Sequence, residues 1–154
     1  MKKKSPITTI VAIGIGAALF FVLGRFVAIP SPVPNTNIST QYGLLAFMSV
    51  IFGPIAGALI AFVGHALIDM SYGWGIWWSW VIASGVDGLI MGLLMKSINI
   101  EEKFEGKEIA KFNIAQVIAN AIAWFLVAPV FDIIIYAEPA NKVFLQGVVG
   151  GISN

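Results

Sequence analysis

The chain has 154 residues, of which 58% are hydrophobic and 11% charged, with a mean hydropathy of +0.90 and a formal net charge of +1. Soluble domains carry about a quarter charged residues, so this composition excludes an ordinary soluble fold and predicts an integral membrane protein in a lipid bilayer. The small net charge argues against a nucleic-acid partner. Because the chain has no cysteine and one histidine, we expect no disulfide, no bound metal and no cofactor.

The first apolar segment covers residues 7–29 and follows three lysines at positions 2–4. A basic start before an apolar run is also typical of a secretory signal peptide, whose apolar core has about 7–15 residues. The run here is longer, and we therefore interpret it as a membrane span that is kept in the mature protein.

Apolar stretches separated by polar or proline-rich segments continue along the chain, and a spanning helix needs about 20 apolar residues. We predict an all-α, polytopic membrane helix bundle forming a single domain over residues 1–154. The last helix is short, since its residues rise only about 18 Å. No basic stop follows it, so we expect either that the natural carboxyl terminus is missing or that this end is not a true span. The six predicted helices are about residues 7–29, 42–52, 55–69, 76–95, 113–136 and 143–154.

Residues 42–69 fit either one long helix kinked at Pro54 or two short helices that meet at Gly53. Two helices would place the lysine-bearing connector at residues 96–111 on the same side of the membrane as the amino-terminal lysines. Seven of the nine basic residues are then cytoplasmic, as the positive-inside rule favours. We therefore expect a multi-pass cell-membrane protein with both termini cytoplasmic.

Tryptophan and tyrosine gather in the predicted outer loops and are almost absent from the predicted cytoplasmic side. An aromatic belt at the membrane interface is the alternative explanation, but a belt would appear on both sides. The asymmetry favours a pocket for a planar, partly apolar ligand.

Polar side chains recur at helical spacing within three predicted spans, as in the pair His65 and Asp69. Ionisable groups in a span cost several kcal/mol unless paired or hydrated, so these side chains should face the bundle interior. They are either hydrogen-bonding links between helices or ligand contacts. For Asp69 and Asp132, near the outer ends, a plain interfacial carboxylate is the favoured interpretation.

The first helix carries small residues four apart, Ala12 with Gly16 and Gly14 with Ala18. This spacing lets helix backbones approach closely in lipid. It indicates either packing within this chain or a docking face for another membrane protein.

Several longer stretches resemble the substrate-binding S component of energy-coupling factor (ECF) transporters, in particular a riboflavin-type subfamily. Cobalamin is the alternative vitamin. They are "FGPIAGALIAFVGHALID", the Trp-rich outer turn, "GVDGLIMGLL" and "GVVGGISN". The resemblance implies a transport subunit, not an enzyme, that captures a vitamin outside the cell. It also implies a transmembrane coupling subunit and two cytoplasmic ATPases as partners. No P-loop occurs in this chain, so ATP hydrolysis has to come from such partners. Ala12, Gly14, Gly16 and Ala18 are the residues expected to dock the coupling subunit.

Polar and aromatic residues near the outer mouth are the candidates for contacting the vitamin. Three other functions are alternatives to a vitamin-binding subunit. One is a proton- or ion-coupled carrier with a His65, Asp69 and Asp87 relay, and another is a purely structural subunit. The third is a membrane enzyme, but neither the G-x-S-x-G nor the H-E-x-x-H motif is present. The candidate substrate-binding residues are Asn35, Asn37, Tyr42, His65, Trp74, Trp77, Trp78, Asp87, Asn120 and Trp124.

Overall fold

A computed structural model describes residues 4–33, 36–73 and 75–154, and over these residues the chain forms six helices. The predicted all-α membrane bundle is confirmed. A short antiparallel ribbon, β1 (Ile29–Pro30) with β2 (Asn37–Ile38), joins the first two helices and was not predicted. The helices are α1 (Pro6–Val27), α2 (Gln41–Phe52), α3 (Pro54–Tyr72), α4 (Trp78–Leu94), α5 (Gly106–Tyr136) and α6 (Ala140–Ser153).

Helix ends differ from the sequence prediction where capping or pairing intervenes. Helix α5 begins at Gly106 rather than near 113, because the Glu108 carboxylate accepts a hydrogen bond from the Glu105 backbone N–H at 3.4 Å and starts the helix inside the polar connector. Helix α1 ends at Val27 rather than 29, since the next residues pair with β2. Helix α6 starts directly after Pro139, which serves as its N-cap.

Helices α2 and α3 are separate, as the charge distribution favoured. Gly53 between them has φ +95° and ψ 169°, a conformation that L-residues with side chains rarely adopt. Pro54 then occupies the first turn of α3, where its missing N–H costs nothing.

Glycines allow the closest helix contacts in the bundle. A Cβ atom on Gly88 of α4 would lie 2.5 Å from the Gly57 carbonyl oxygen of α3, so the two backbones touch. A Cβ on Gly16 of α1 would lie 2.7 Å from Ile60 Cδ1. Such approaches supply the dispersion contacts that hold helices together in lipid, where apolar burial gives no driving force.

The outer surface of the bundle is apolar. Helices α1, α3 and α5 are long and apolar enough to cross a membrane, whereas α2 and α4 are shorter. Large side chains such as Ile10, Val117 and Ile134 are exposed on it. This surface matches the acyl chains of a bilayer.

The two ends of the bundle have different chemistry. At one end, the Lys4 ammonium lies 2.5 Å from the Glu101 carboxylate, which joins the amino terminus to the connector between α4 and α5. We call this end the connector face. The ribbon, the α3–α4 turn and the α5–α6 turn meet at the other end, the loop face.

A Gly88→Ala substitution should lower the stability of the protein by about 1–3 kcal/mol, since the new methyl group collides with the backbone of α3. Gly14→Ala on α1 is the matched control, because nothing lies within 4 Å of the position that its methyl group would take. Thermal unfolding in detergent measures both. Equal stability of the two variants would contradict this close α3–α4 packing.

Candidate functional site

Two adjoining cavities open at the loop face. The larger, of about 370 Å³, lies between the ribbon and the loop-face parts of all six helices, and we call it the ribbon cavity. The smaller, of about 250 Å³, lies among α3, α4, α5 and α6, and we call it the acidic cavity. His65, Asp69 and Trp80 line both. The ribbon cavity is also lined by Asn37, Gln41, Tyr42, Tyr72 and Trp124, and the acidic cavity by Trp77, Asp132, Glu138, Lys142 and Gln146.

A buried carboxylate, Asp132 of α5, connects α5 to the start of α4. Its Oδ1 accepts hydrogen bonds from the Trp77 indole N–H at 2.6 Å and from the Ser79 hydroxyl, and its Oδ2 accepts from the Trp80 indole N–H at 2.7 Å. The side chain is 1% exposed. Three donors from one short stretch thus satisfy the hydrogen bonds of this carboxylate. Without them, burying its charge inside the bundle would cost free energy.

A second set of hydrogen bonds crosses the floor of the ribbon cavity. The Ser84 hydroxyl of α4 lies 2.5 Å from His65 Nδ1 of α3 and 2.8 Å from the Tyr42 hydroxyl of α2. Three helices are therefore held in register by one serine. The imidazole Nε2 faces Asp69, with 3.7 Å to Oδ1.

The turn between α3 and α4 contains two glycines and is held at its end by Trp77. Gly73 has φ +81° and Gly75 has φ +88°, conformations that glycine adopts without strain. The Trp77 backbone N–H then donates to Asp69 Oδ2 at 2.8 Å, and its indole stacks on Tyr136 with ring centroids 4.2 Å apart. This arrangement positions Trp77 at the mouth of the acidic cavity.

The structure brings together only part of the predicted binding set. Asn37, Tyr42, His65, Trp77 and Trp124 line one or both cavities, as the sequence indicated. Three further candidates line neither cavity, Trp78, Asp87 and Asn120. Asn35 and Trp74 lie outside the described residues.

The three remaining candidates take other positions in the bundle. Trp78 is 44% exposed and packs beside Phe62 on the outside of the bundle. Asn120 has both polar ends engaged, with Oδ1 accepting from the Trp124 indole N–H at 3.1 Å and Nδ2 donating to the Gln116 carbonyl at 3.0 Å. Asp87 is buried on α4 below Ser84.

The carboxylates expected at the membrane interface are buried instead. Asp69 is 7% and Asp132 is 1% exposed, and both line the acidic cavity. The interfacial interpretation was wrong because it considered only how far along its helix each aspartate lies. It left out the hydrogen-bond donors that the start of α4 supplies to both carboxylates. Sequence reasoning also passed over Gln41 and underweighted Trp80, whose helical spacing with Ser84 was the one available signal.

The small residues of α1 divide between two faces. Ala12 and Gly16 are buried, with Gly16 packed against α3. Gly14 and Ala18 point outward and are exposed, and Gly14 has open space where a side chain would begin.

A bundle with membrane-spanning helices and with polar and aromatic cavities at one end has the form of a membrane protein that holds a small molecule. Residues 4–154 match the family model described as "ECF-type riboflavin transporter, S component", and the chain belongs to this family. It is thus a non-enzymatic subunit of an ECF importer.

Relatives align with nearly the whole length of this chain. A UPF0397 protein of Clostridium perfringens is 57% identical over 99% of this chain and 83% of its own length. UPF0397 proteins of Enterococcus faecalis and Streptococcus pneumoniae are each 50% identical over 100% of this chain and 85% of theirs. No solved structure matches the chain significantly.

Removing one indole donor at a time tests the Asp132 arrangement. Trp80→Phe should cost about 1–3 kcal/mol of stability, since it leaves Asp132 Oδ2 without its donor. Trp77→Phe should cost less, because Oδ1 keeps the Ser79 hydroxyl. Trp78→Phe, on the outer surface, is the control and should stay within about 0.5 kcal/mol of the parent. Chemical or thermal unfolding measures the order, and three equal losses would contradict the described hydrogen bonds.

Proposed function

We propose that this subunit captures a vitamin-class heterocycle, with a flavin as the leading candidate, at the extracellular side of the cell membrane. The observation that carries the proposal is the pair of adjoining cavities, whose walls combine tryptophan rings with a few convergent polar groups. Sites for small organic ligands have this composition and a volume of about 300–1,000 Å³.

The dimensions of the cavities favour a flavin over a cobalamin. The ribbon cavity, at about 370 Å³, suits one fused ring system, whereas a corrinoid is several times larger. Trp80 and Trp124, with ring centroids 5.2 Å apart, offer apolar surface against which a planar ring can pack. Tyr42, His65 and Gln41 supply hydroxyl, imidazole and carboxamide groups for the polar edge of the ligand.

The proposed orientation places the loop face outside and the connector face in the cytoplasm. The Lys4–Glu101 ion pair supports it, because the amino-terminal lysines and the lysines of the connector then share one side. The cavities accordingly open toward the extracellular medium. Both termini would be cytoplasmic if the last helix continued across the membrane.

We further propose that α1 docks the transmembrane coupling subunit, which works with two cytoplasmic ATPases, through its outward face. Gly14 and Ala18 are exposed and one turn apart there. A partner helix can approach the backbone closely at such a pair. The buried Ala12 and Gly16 support the same helix from inside, by packing it on α3.

Titration with riboflavin tests the capture function. We expect quenching of tryptophan fluorescence in the purified protein with a Kd below about 1 μM, or about −8 kcal/mol. Gly150→Leu should weaken binding at least about tenfold, since Gly150 lines the ribbon cavity and a Cβ atom on it would lie 3.7 Å from the Trp80 ring. Val148→Leu, outward on the same helix, is the control. Absence of riboflavin binding would contradict the flavin assignment.

Docking is tested by replacing small outward residues of α1 with a larger one. The double variant Gly14→Leu, Ala18→Leu should lose co-purification with the coupling subunit while keeping ligand affinity, because the change lies outside the cavities. Val117→Leu, on the exposed face of α5, is the control. Retained co-purification in the double variant would show that docking uses another surface.

Uptake into liposomes separates an ECF subunit from a self-sufficient carrier. The isolated chain should show no uptake under a proton gradient, since its energy source resides in the partner ATPases. Uptake that depends on the gradient and is lost on His65→Ala would instead support the relay of a proton-coupled carrier.

A further inference from the structure

One histidine side chain faces the space that the two cavities share. His65 lies on α3, its side chain is 14% exposed, and it lines both the ribbon cavity and the acidic cavity. Its Nδ1 meets the Ser84 hydroxyl at 2.5 Å, and the same hydroxyl meets the Tyr42 hydroxyl at 2.8 Å. A neutral imidazole has one N–H group, so the position of its proton depends on how these two hydroxyls donate.

The hydroxyl of Tyr42 determines the direction of these hydrogen bonds. Tyr42 is 3% exposed, and Ser84 is the only hydrogen-bond partner of its hydroxyl among the described residues. A buried O–H group without an acceptor costs about 1–3 kcal/mol, so Tyr42 donates to Ser84 Oγ. The single hydroxyl proton of Ser84 is then donated to His65 Nδ1, which accepts it. The proton of the imidazole is accordingly on Nε2.

A neighbouring carboxylate favours the same tautomer. Asp69 Oδ1 lies 3.7 Å from His65 Nε2, where its charge repels a lone pair and attracts an N–H group. This separation exceeds the limit of about 3.2 Å for an N–H···O hydrogen bond. The Nε2–H group thus has no acceptor at hydrogen-bond distance in the described part of the chain, although the side chain lines both cavities. A donor in this position points to an acceptor on the occupant.

We propose that Ser84 is a positioning residue that fixes the tautomer of His65 and so presents the Nε2–H group to the captured molecule. The ligand carries a hydrogen-bond acceptor, either a ring carbonyl oxygen or an unprotonated ring nitrogen, at the junction of the two cavities. A flavin has acceptors of both kinds on its ring system. This inference rests on the proposed capture function and specifies the group that orients the heterocycle.

The tautomer can be measured directly, because His65 is the only histidine of the chain. The full chain, purified in detergent without a histidine tag and carrying nitrogen-labelled histidine, gives one pair of imidazole signals in NMR, and their shifts identify the protonated nitrogen. We expect the proton on Nε2 in the ligand-free protein. Saturation with riboflavin should move the Nε2 signal, because its N–H gains an acceptor, and should leave Nδ1 bonded to Ser84.

Serine variants separate this positioning from general packing. Ser84→Ala should shift the Nδ1 signal and weaken riboflavin binding about tenfold, because the imidazole loses the group that orients it. Ser49→Ala is the matched control, since Ser49 is equally buried and donates to the Leu45 carbonyl of its own helix at 2.7 Å. The control should leave both readings unchanged.

Substitution of the imidazole tests the donor itself. His65→Leu removes the N–H group and should weaken riboflavin binding at least about tenfold. His65→Gln can place a carboxamide N–H near the former position of Nε2 and should recover part of that loss. Thermal unfolding of both variants checks that they fold. Equal weakening by folded His65→Leu and His65→Gln would contradict a donor role for Nε2.

The outcomes separate this inference from the proposed function. A proton on Nδ1 in the ligand-free protein overturns the positioning by Ser84, whatever ligand binds. Riboflavin that binds without moving the Nε2 signal, or that binds His65→Leu as tightly as the parent, overturns the contact and leaves flavin capture standing. A proton on Nε2, with an Nδ1 signal that shifts in Ser84→Ala but no riboflavin binding, supports the positioning and overturns the flavin assignment.

Discussion

The architecture depends on one buried carboxylate. Asp132 lies inside a bundle whose surroundings are hydrocarbon, where an unpaired charge costs several kcal/mol. Three donors from residues 77–80 remove that cost, and in doing so they fix the start of α4 against α5. The turn that leads into α4 is then tied to Asp69 at the end of α3, so three helices share one polar junction. The space that these helices enclose is the acidic cavity.

Packing deeper in the bundle makes this junction possible. The Gly57–Gly88 contact draws α3 and α4 together near the connector face, which leaves room between helices toward the loop face. Ser84 then joins α4 to α2 and α3 through His65 and Tyr42. Polar groups thus appear where helices diverge, and glycines where they converge. A protein that binds a ligand within a membrane needs both close helix packing and an enclosed polar site, because lipid cannot form hydrogen bonds with polar groups on the outer surface of the bundle.

Hydropathy was sufficient to predict six helices, and the charge distribution correctly favoured separate α2 and α3 helices. Local geometry was not predictable in this way. The ribbon has two residues per strand, too few for an alternating pattern, and the Glu105–Glu108 cap lies in a polar stretch that lacks apolar periodicity. Trp80 and Ser84 are four residues apart and so share a helix face, yet the sequence does not reveal that Asp132 accepts a hydrogen bond from Trp80, because that contact joins residues 52 apart. The environment of Gln41 depends likewise on tertiary packing.

We propose that the polar and indole groups converge on a cavity that opens outside the cell, opposite the lysine-bearing connector. Because the chain has no cysteine, single cysteines can be placed at Ser31 in the ribbon-cavity wall and at Lys103 in the connector without background labelling. A membrane-impermeant maleimide applied to intact cells should label Ser31→Cys, and added ligand should slow the reaction, while Lys103→Cys reacts only after permeabilisation. Labelling of Lys103→Cys in intact cells, with Ser31→Cys protected until permeabilisation, would contradict the account.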